Sequence, residues 1–271
     1  MKHLFCLLSL LFAQVVLAVN PIKEYVDTPA NSKFRYEEVQ IETADGYALQ
    51  SWTIYPDDAN RLNRTLILAY SDAGNMSYWL RQGIEIVNQG YTVVMFDYRG
   101  FGASDAFEME EDMLYYDEFA IDLQAVVAYA KEKFNTKIGV WALSMGTISA
   151  VITHNVQPYD YLIADGFVVD PKIIIERLYH FLEKEIHLPP GANAYDKALT
   201  RLTLPVLFIV GDRDGLTTMQ DSHRVKPLNP KSEVVAYKGG HLQGFQAMTK
   251  TYHGEGYIDA INAFYTKTFE K

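Results

Sequence analysis

Cysteine is all but missing from this chain: its 271 residues include one, Cys6. That residue lies inside an apolar run from Leu4 to Leu17 interrupted only by Ser9 and Gln14, so everything beyond the run is free of thiols. Disulfide bridges, thiolate metal sites and a cysteine nucleophile are therefore excluded from any domain that follows. Basic clusters are missing too. Asp and Glu number 34 against 24 Lys and Arg, for a net charge of −10, which makes nucleic acid and anionic membrane surfaces poor partners. No ligand-spaced group of His, Cys and carboxylates occurs, so neither a metal nor an organic cofactor is expected. Repeats, low-complexity tracts and linkers are absent as well, which favours one domain.

The apolar run itself follows Met1-Lys2-His3 and closes on Val16-Leu17-Ala18. It is shorter than the roughly 20 apolar residues that a transmembrane helix needs, and its small closing residue suits a signal peptidase. Residues 1–18 are thus expected to be a signal peptide cut after Ala18, with a single domain over 19–271. The competing reading is a membrane anchor. A lipoprotein is disfavoured because Cys6 lies within the run and not at its end. The expected destination is periplasmic or secreted, with no stable membrane anchor; the oligomeric state is not encoded in any pattern. Asn63-Arg64-Thr65 and Asn75-Met76-Ser77 are acceptor sequences for glycosylation in a eukaryotic secretory host only. The acidic stretch Glu108-Met109-Glu110-Glu111-Asp112 reads as a solvated loop before a helix.

What is present is an alternation of apolar, strand-like runs and helix-length segments. Phe34–Glu42 and Tyr47–Ile54 flank Ala44-Asp45-Gly46 and read as an antiparallel hairpin. Strand-like runs follow at 66–70, 92–96, 137–141, 161–164, 206–210 and 232–237, separated by helical patterns at 78–88, 116–134, 145–155, 171–184, 218–225 and 256–269. Near-continuous apolar strands between helices predict an α/β fold with a mostly parallel sheet covered on both faces. The stretch from about 168 to 202, longer than a simple crossover and carrying Pro189-Pro190-Gly191, reads as a small inserted cap.

The run Ile138-Gly139-Val140-Trp141 ends in Ala142-Leu143-Ser144-Met145-Gly146, which opens a helical stretch. Small residues two positions either side of a serine allow the tight strand-to-helix turn that lifts a hydroxyl clear of the backbone, a nucleophile elbow. The plain alternative is a serine that merely caps a helix. Two further segments weigh against it. Gly211-Asp212-Arg213-Asp214 follows one strand, and Gly239-Gly240-His241 follows the next. Parallel sheets gather functional loops at the carboxyl ends of their strands, so Ser144, Asp214 and His241 can meet as nucleophile, acid and base. Asp212 competes with Asp214 for the acid role.

With those residues in view, the chain resembles the α/β-hydrolase superfamily, in particular small-cap serine hydrolases grouped with serine aminopeptidase-like and prolyl-oligopeptidase-like members. Phe96-Asp97-Tyr98-Arg99-Gly100-Phe101-Gly102 is similar to the signature after that family's fourth strand, and Tyr116-Asp117 with Asp122 to its helix before the elbow strand. The resemblance implies an α/β-hydrolase fold, no cofactor, and a Ser144-Asp214-His241 triad, Asp214 being preferred over Asp212 on this match. It further implies that Tyr70-Ser71-Asp72-Ala73-Gly74-Asn75 carries an oxyanion-hole amide, the donors being the backbone N–H groups of Asp72 and Met145. Tyr70 and Ser71 stand where relatives carry His-Gly, and the Asp72 carboxylate would oppose a nearby oxyanion unless turned away or paired.

The expected activity is cleavage of an ester or related acyl bond in a small-molecule substrate, through an acyl-enzyme on Ser144. The alternatives are a short-peptide peptidase, an acyltransferase, or a catalytically silent binding protein on the same fold. Tyr115, Tyr116, Tyr179 and Phe181 are the expected walls of the substrate pocket.

Overall fold

The computed structural model of the protein describes residues 18–110, 112–183 and 185–270. The expected signal peptide thus lies outside the described residues except for its last position, Ala18. Among the described residues ten strands form: β1 (Asn20–Pro21), β2 (Tyr36–Glu42), β3 (Ala48–Ile54), β4 (Arg64–Ala69), β5 (Ala73–Gly74), β6 (Thr92–Phe96), β7 (Lys137–Leu143), β8 (Tyr161–Asp165), β9 (Val206–Gly211) and β10 (Glu233–Tyr237). Eight α-helices accompany them: α1 (Leu80–Asn88), α2 (Tyr116–Lys133), α3 (Met145–Val156), α4 (Pro171–Leu182), α5 (Tyr195–Thr200), α6 (Met219–Val225), α7 (Gly244–Ala247) and α8 (Glu255–Phe269).

Eight strands make one sheet in the order β10-β9-β8-β7-β4-β6-β3-β2. Pairings from β6 through β10 are parallel, whereas β3 runs antiparallel to both β2 and β6. Every residue of β4, β6, β8 and β9 is buried. Because alternate side chains of a strand point to opposite faces, this requires cover on both sides, and it explains why these strands read as unbroken apolar runs. Trp141 of β7 donates through Nε1 to the Tyr257 hydroxyl of α8 at 2.8 Å, and Tyr161 of β8 packs edge-on against Tyr265 of the same helix. Helix α2 buries Phe119, Ala120, Leu123, Val126, Val127 and Ala130 at helical spacing. Its first turn carries Asp117 and Glu118 and its last Lys131 and Lys133, charges that complement the helix dipole.

Between β8 and β9 lie α4, a 3-10 turn at Pro190–Ala194, and α5. Asp170 caps α4 by accepting from the Lys172 amide, with Pro171 at the first helical position. The acidic loop does more than face solvent, because its end docks on this segment. His187 N donates to Asp112 O, and Leu114 N donates to His187 O at 3.0 Å. The N-terminal residues are equally fixed: Ala18 and Val19 are buried, and β1 pairs in parallel with β5 to make a separate two-stranded sheet. Among the described residues no helix is long and apolar enough to cross a membrane.

Candidate active site

Ser144 sits at the junction of β7 and α3 with φ 50° and ψ −115°, a backbone region that side-chain-bearing residues rarely occupy. The turn is locked from both sides. Ser144 N donates to Asp165 O at 2.9 Å, and Thr147 N donates to Ser144 O at 2.8 Å. Gly146 explains the small residue two positions on, since a Cβ there would stand 2.0 Å from the Ala69 carbonyl oxygen at the end of β4. Ala142 is fully buried inside the sheet.

Asp214 follows β9 and His241 follows β10, so the two neighbouring strands deliver them side by side. His241 Nε2 lies 2.9 Å from Ser144 Oγ, and its Nδ1 lies 2.9 Å from Asp214 Oδ2. The tautomer with a proton on Nδ1 satisfies both contacts: Nδ1 donates to the carboxylate while Nε2 accepts from the serine. The Asp214 carboxylate also accepts from the Leu216 amide, the Thr217 amide and the Thr217 hydroxyl, at 2.9, 2.9 and 2.7 Å. Burial opposes its charge, but the hydrogen bonds from His241 and Thr217 outweigh this and hold its pKa below the ordinary value. Asp212 points elsewhere and accepts from Gly239 N at 3.0 Å. Gly166 leaves room for the imidazole, because a Cβ there would lie 2.9 Å from His241 Cε1.

The Asp72 and Met145 amides find no acceptor among the described residues. The Asp72 carboxylate is engaged by its neighbour, the Ser71 hydroxyl donating to Oδ1 at 2.5 Å. A cavity of about 120 Å³ opens beside Ser144, Met145, Asp72 and His241. Its apolar walls are Leu114, Ile148, Val168, Ile174, Leu178 and Leu216.

None of the four aromatic residues expected as walls lines that cavity, and each has found another use. Tyr116 is fully buried in the core. Tyr115 packs edge-on against Phe107 and accepts from Glu110 N. Tyr179 and Phe181 are exposed on α4, with the Phe181 ring over Gly215. Large aromatic rings satisfy the core's demand for apolar area, whereas a small cavity is better shaped by branched aliphatic side chains. Two polar residues with no place in the sequence reading stand next to the site. Thr217 contacts both Asp214 and His241 Nδ1, the latter at 3.1 Å. Asp165, at the end of β8, is buried with Oδ1 unpartnered among the described residues. The three-residue spacing from Asp214 to Thr217, typical of a side-chain-capped turn, is the local signal that points to the threonine.

Comparison with known proteins extends the picture. Residues 81–184 match the sequence profile of the serine aminopeptidase family, a stretch that contains Ser144 and stops short of Asp214 and His241. Protein bem46 of Schizosaccharomyces pombe is 24% identical over 268 residues, covering 89% of this chain and 80% of its own. Among solved structures, an esterase of Pyrococcus furiosus superposes with a TM-score of 0.73 at 22% identity, covering 92% of this chain and 97% of the other. A thermophilic esterase from Thermogutta terrifontis gives 0.60 at 18% identity, covering 85% and 98%. The strand order, the sharp turn at the end of β7 and the reach of these likenesses together give the chain the α/β-hydrolase fold.

Proposed function

We propose that this protein is a serine hydrolase that cleaves esters of short, uncharged acyl groups. The observation that carries the reading is the unbroken relay from Asp214 Oδ2 to His241 Nδ1 and from His241 Nε2 to Ser144 Oγ, each link 2.9 Å. In this mechanism the Ser144 oxygen attacks the ester carbonyl while its proton passes to Nε2, giving a tetrahedral oxyanion and an imidazolium held by Asp214. The Asp72 and Met145 amides, free at rest, receive the oxyanion. Collapse expels the alkoxide, which takes the proton from Nε2 and leaves as alcohol. Water then attacks the acyl-enzyme with His241 as base, and the carboxylic acid departs as Ser144 regains its proton.

The cavity sets the acyl group. An apolar cavity of about 150 Å³ accommodates benzene, so one of about 120 Å³ takes an acyl chain of about four or five heavy atoms. A second reading, cleavage of short peptides, has one specific support: the Asp72 carboxylate lines the same cavity and could receive a substrate ammonium. The proposal also includes export, with cleavage after Ala18; N-terminal sequencing of the protein recovered outside the cytoplasm should then begin at Val19.

The test is turnover of p-nitrophenyl acetate and butyrate by wild type and Ser144→Ala, beside aminoacyl-nitroanilides, with fluorophosphonate labelling of both proteins. The expected result is ester turnover that falls about 10³-fold or more in the variant, with labelling abolished. Nitroanilide cleavage in preference to esters would favour the peptide reading. No labelling of folded wild type would point to a silent binding protein.

A further inference from the structure

The loop that carries Asp72 is tied to the N-terminal segment, not to the main sheet. Asn20 N donates to Asp72 O at 2.8 Å and Ile22 N donates to Gly74 O at 2.9 Å, the two bonds that frame the β1–β5 pairing. Asn75, fully buried, donates through Nδ2 to the carbonyls of Ile22 and Glu24 at 3.0 and 2.8 Å. Its Oδ1 accepts from the Ser77 amide and hydroxyl, and that hydroxyl in turn accepts from Val26 N at 3.0 Å.

A single buried carboxylate closes the truss. Asp97, just beyond β6 and fully buried, accepts through Oδ1 from Met76 N at 2.8 Å and from the Tyr70 hydroxyl at 3.2 Å, the two flanks of the loop. Through Oδ2 it accepts from the Tyr25 hydroxyl at 2.6 Å, which belongs to the N-terminal segment. Tyr70 thus anchors the loop through its side chain.

We propose that residues 19–26 and Asp97 form a brace that holds the Asp72 amide where a developing oxyanion needs it. The inference rests on the reading of Asp72 as an oxyanion donor. An oxyanion hole accelerates a reaction only if its donors are aimed beforehand, yet the Asp72 N–H has no acceptor at rest to aim it. What fixes the residue is the bond to its following peptide, from Asn20 N to Asp72 O. The brace members are positioning residues, and they touch neither substrate nor His241.

The experiment compares Asn20→Pro with Asn20→Ala. The exposed Asn20 side chain is lost in both, but only proline removes the N–H that holds Asp72 O. Tyr25→Phe is the second variant, which keeps the ring against Trp52 and removes one bond to Asp97. In folded protein, Asn20→Pro should lower kcat for p-nitrophenyl butyrate by about tenfold or more, since donor misplacement of the order of an ångström costs up to ~10²-fold. KM should hold. Affinity for a trifluoromethyl ketone, whose hemiketal adduct with Ser144 Oγ places an oxyanion in the hole as the serine proton passes to His241, should fall in step with kcat. Asn20→Ala should match wild type, and Tyr25→Phe should fall between. Unchanged kcat and ketone affinity in folded Asn20→Pro would overturn the brace. Turnover that survives Ser144→Ala would overturn the hydrolase reading, and the brace with it.

Discussion

At the scale of single residues, the most informative group outside the proposed relay is Asp165. It is buried beneath His241 with Tyr257, Tyr237 and Asp214 as titratable neighbours, and burial pushes its pKa up to about 7 against only partial relief from His241 and Tyr257. A folded-state pKa above the unfolded one means that the fold favours the protonated form. The group's contribution to stability is therefore full below the ordinary aspartate pKa, where both states hold the proton. It declines as the unfolded chain ionises and is gone once the pH passes about 7. Asp165→Asn, which keeps the neutral shape, should melt above wild type near pH 8 and lose that advantage near pH 4, read as melting temperature against pH. A difference from wild type that stays constant across that range would show that the fold does not raise the Asp165 pKa. Residues of this kind escape sequence reading because an aspartate at a strand end looks the same whether it is solvated or sealed in.

At the scale of elements, β7, β9 and β10 were legible because each is an apolar run ended by a small or polar residue, and the groups on their carboxyl ends follow from that. The two-residue strands β1 and β5 were not, since two residues carry no alternation. The cavity beside Ser144 was hidden for a different reason. Leu114 comes from the loop before α2, Ile148 from α3, Ile174 and Leu178 from α4, and Leu216 from the turn after β9, and no local pattern marks aliphatic residues that only tertiary packing assembles. Helix α4 is the adjustable wall. Leu178→Ala should enlarge the cavity and raise the octanoate-to-butyrate ratio of kcat/KM for p-nitrophenyl esters by about tenfold, the lower end of what one methylene is worth in a hydrophobic pocket. Because Leu178 is only half-buried, its truncation should cost little in stability, and an unchanged ratio would remove α4 from the acyl site.

For the molecule as a whole, the fold class was readable from periodicity alone, because a sheet covered on both faces leaves strands with no polar face to disguise them. The place where the candidate residues meet was readable too, since an open parallel sheet gathers its loops at one end. What periodicity could not supply was the truss of long-range polar contacts, in which groups 21, 27 and 72 positions from Asp97 share its one buried carboxylate. The turn at Ser144 has a consequence for the history of such a chain. A residue with a Cβ held at φ 50° stores strain of the order of 1–3 kcal/mol, which glycine would relieve. Ser144→Gly should accordingly melt roughly 2–4 °C above Ser144→Ala, as calorimetry can show. Any chain with no use for that hydroxyl would gain stability by this one substitution, so serine at this corner is a standing handicap to the fold.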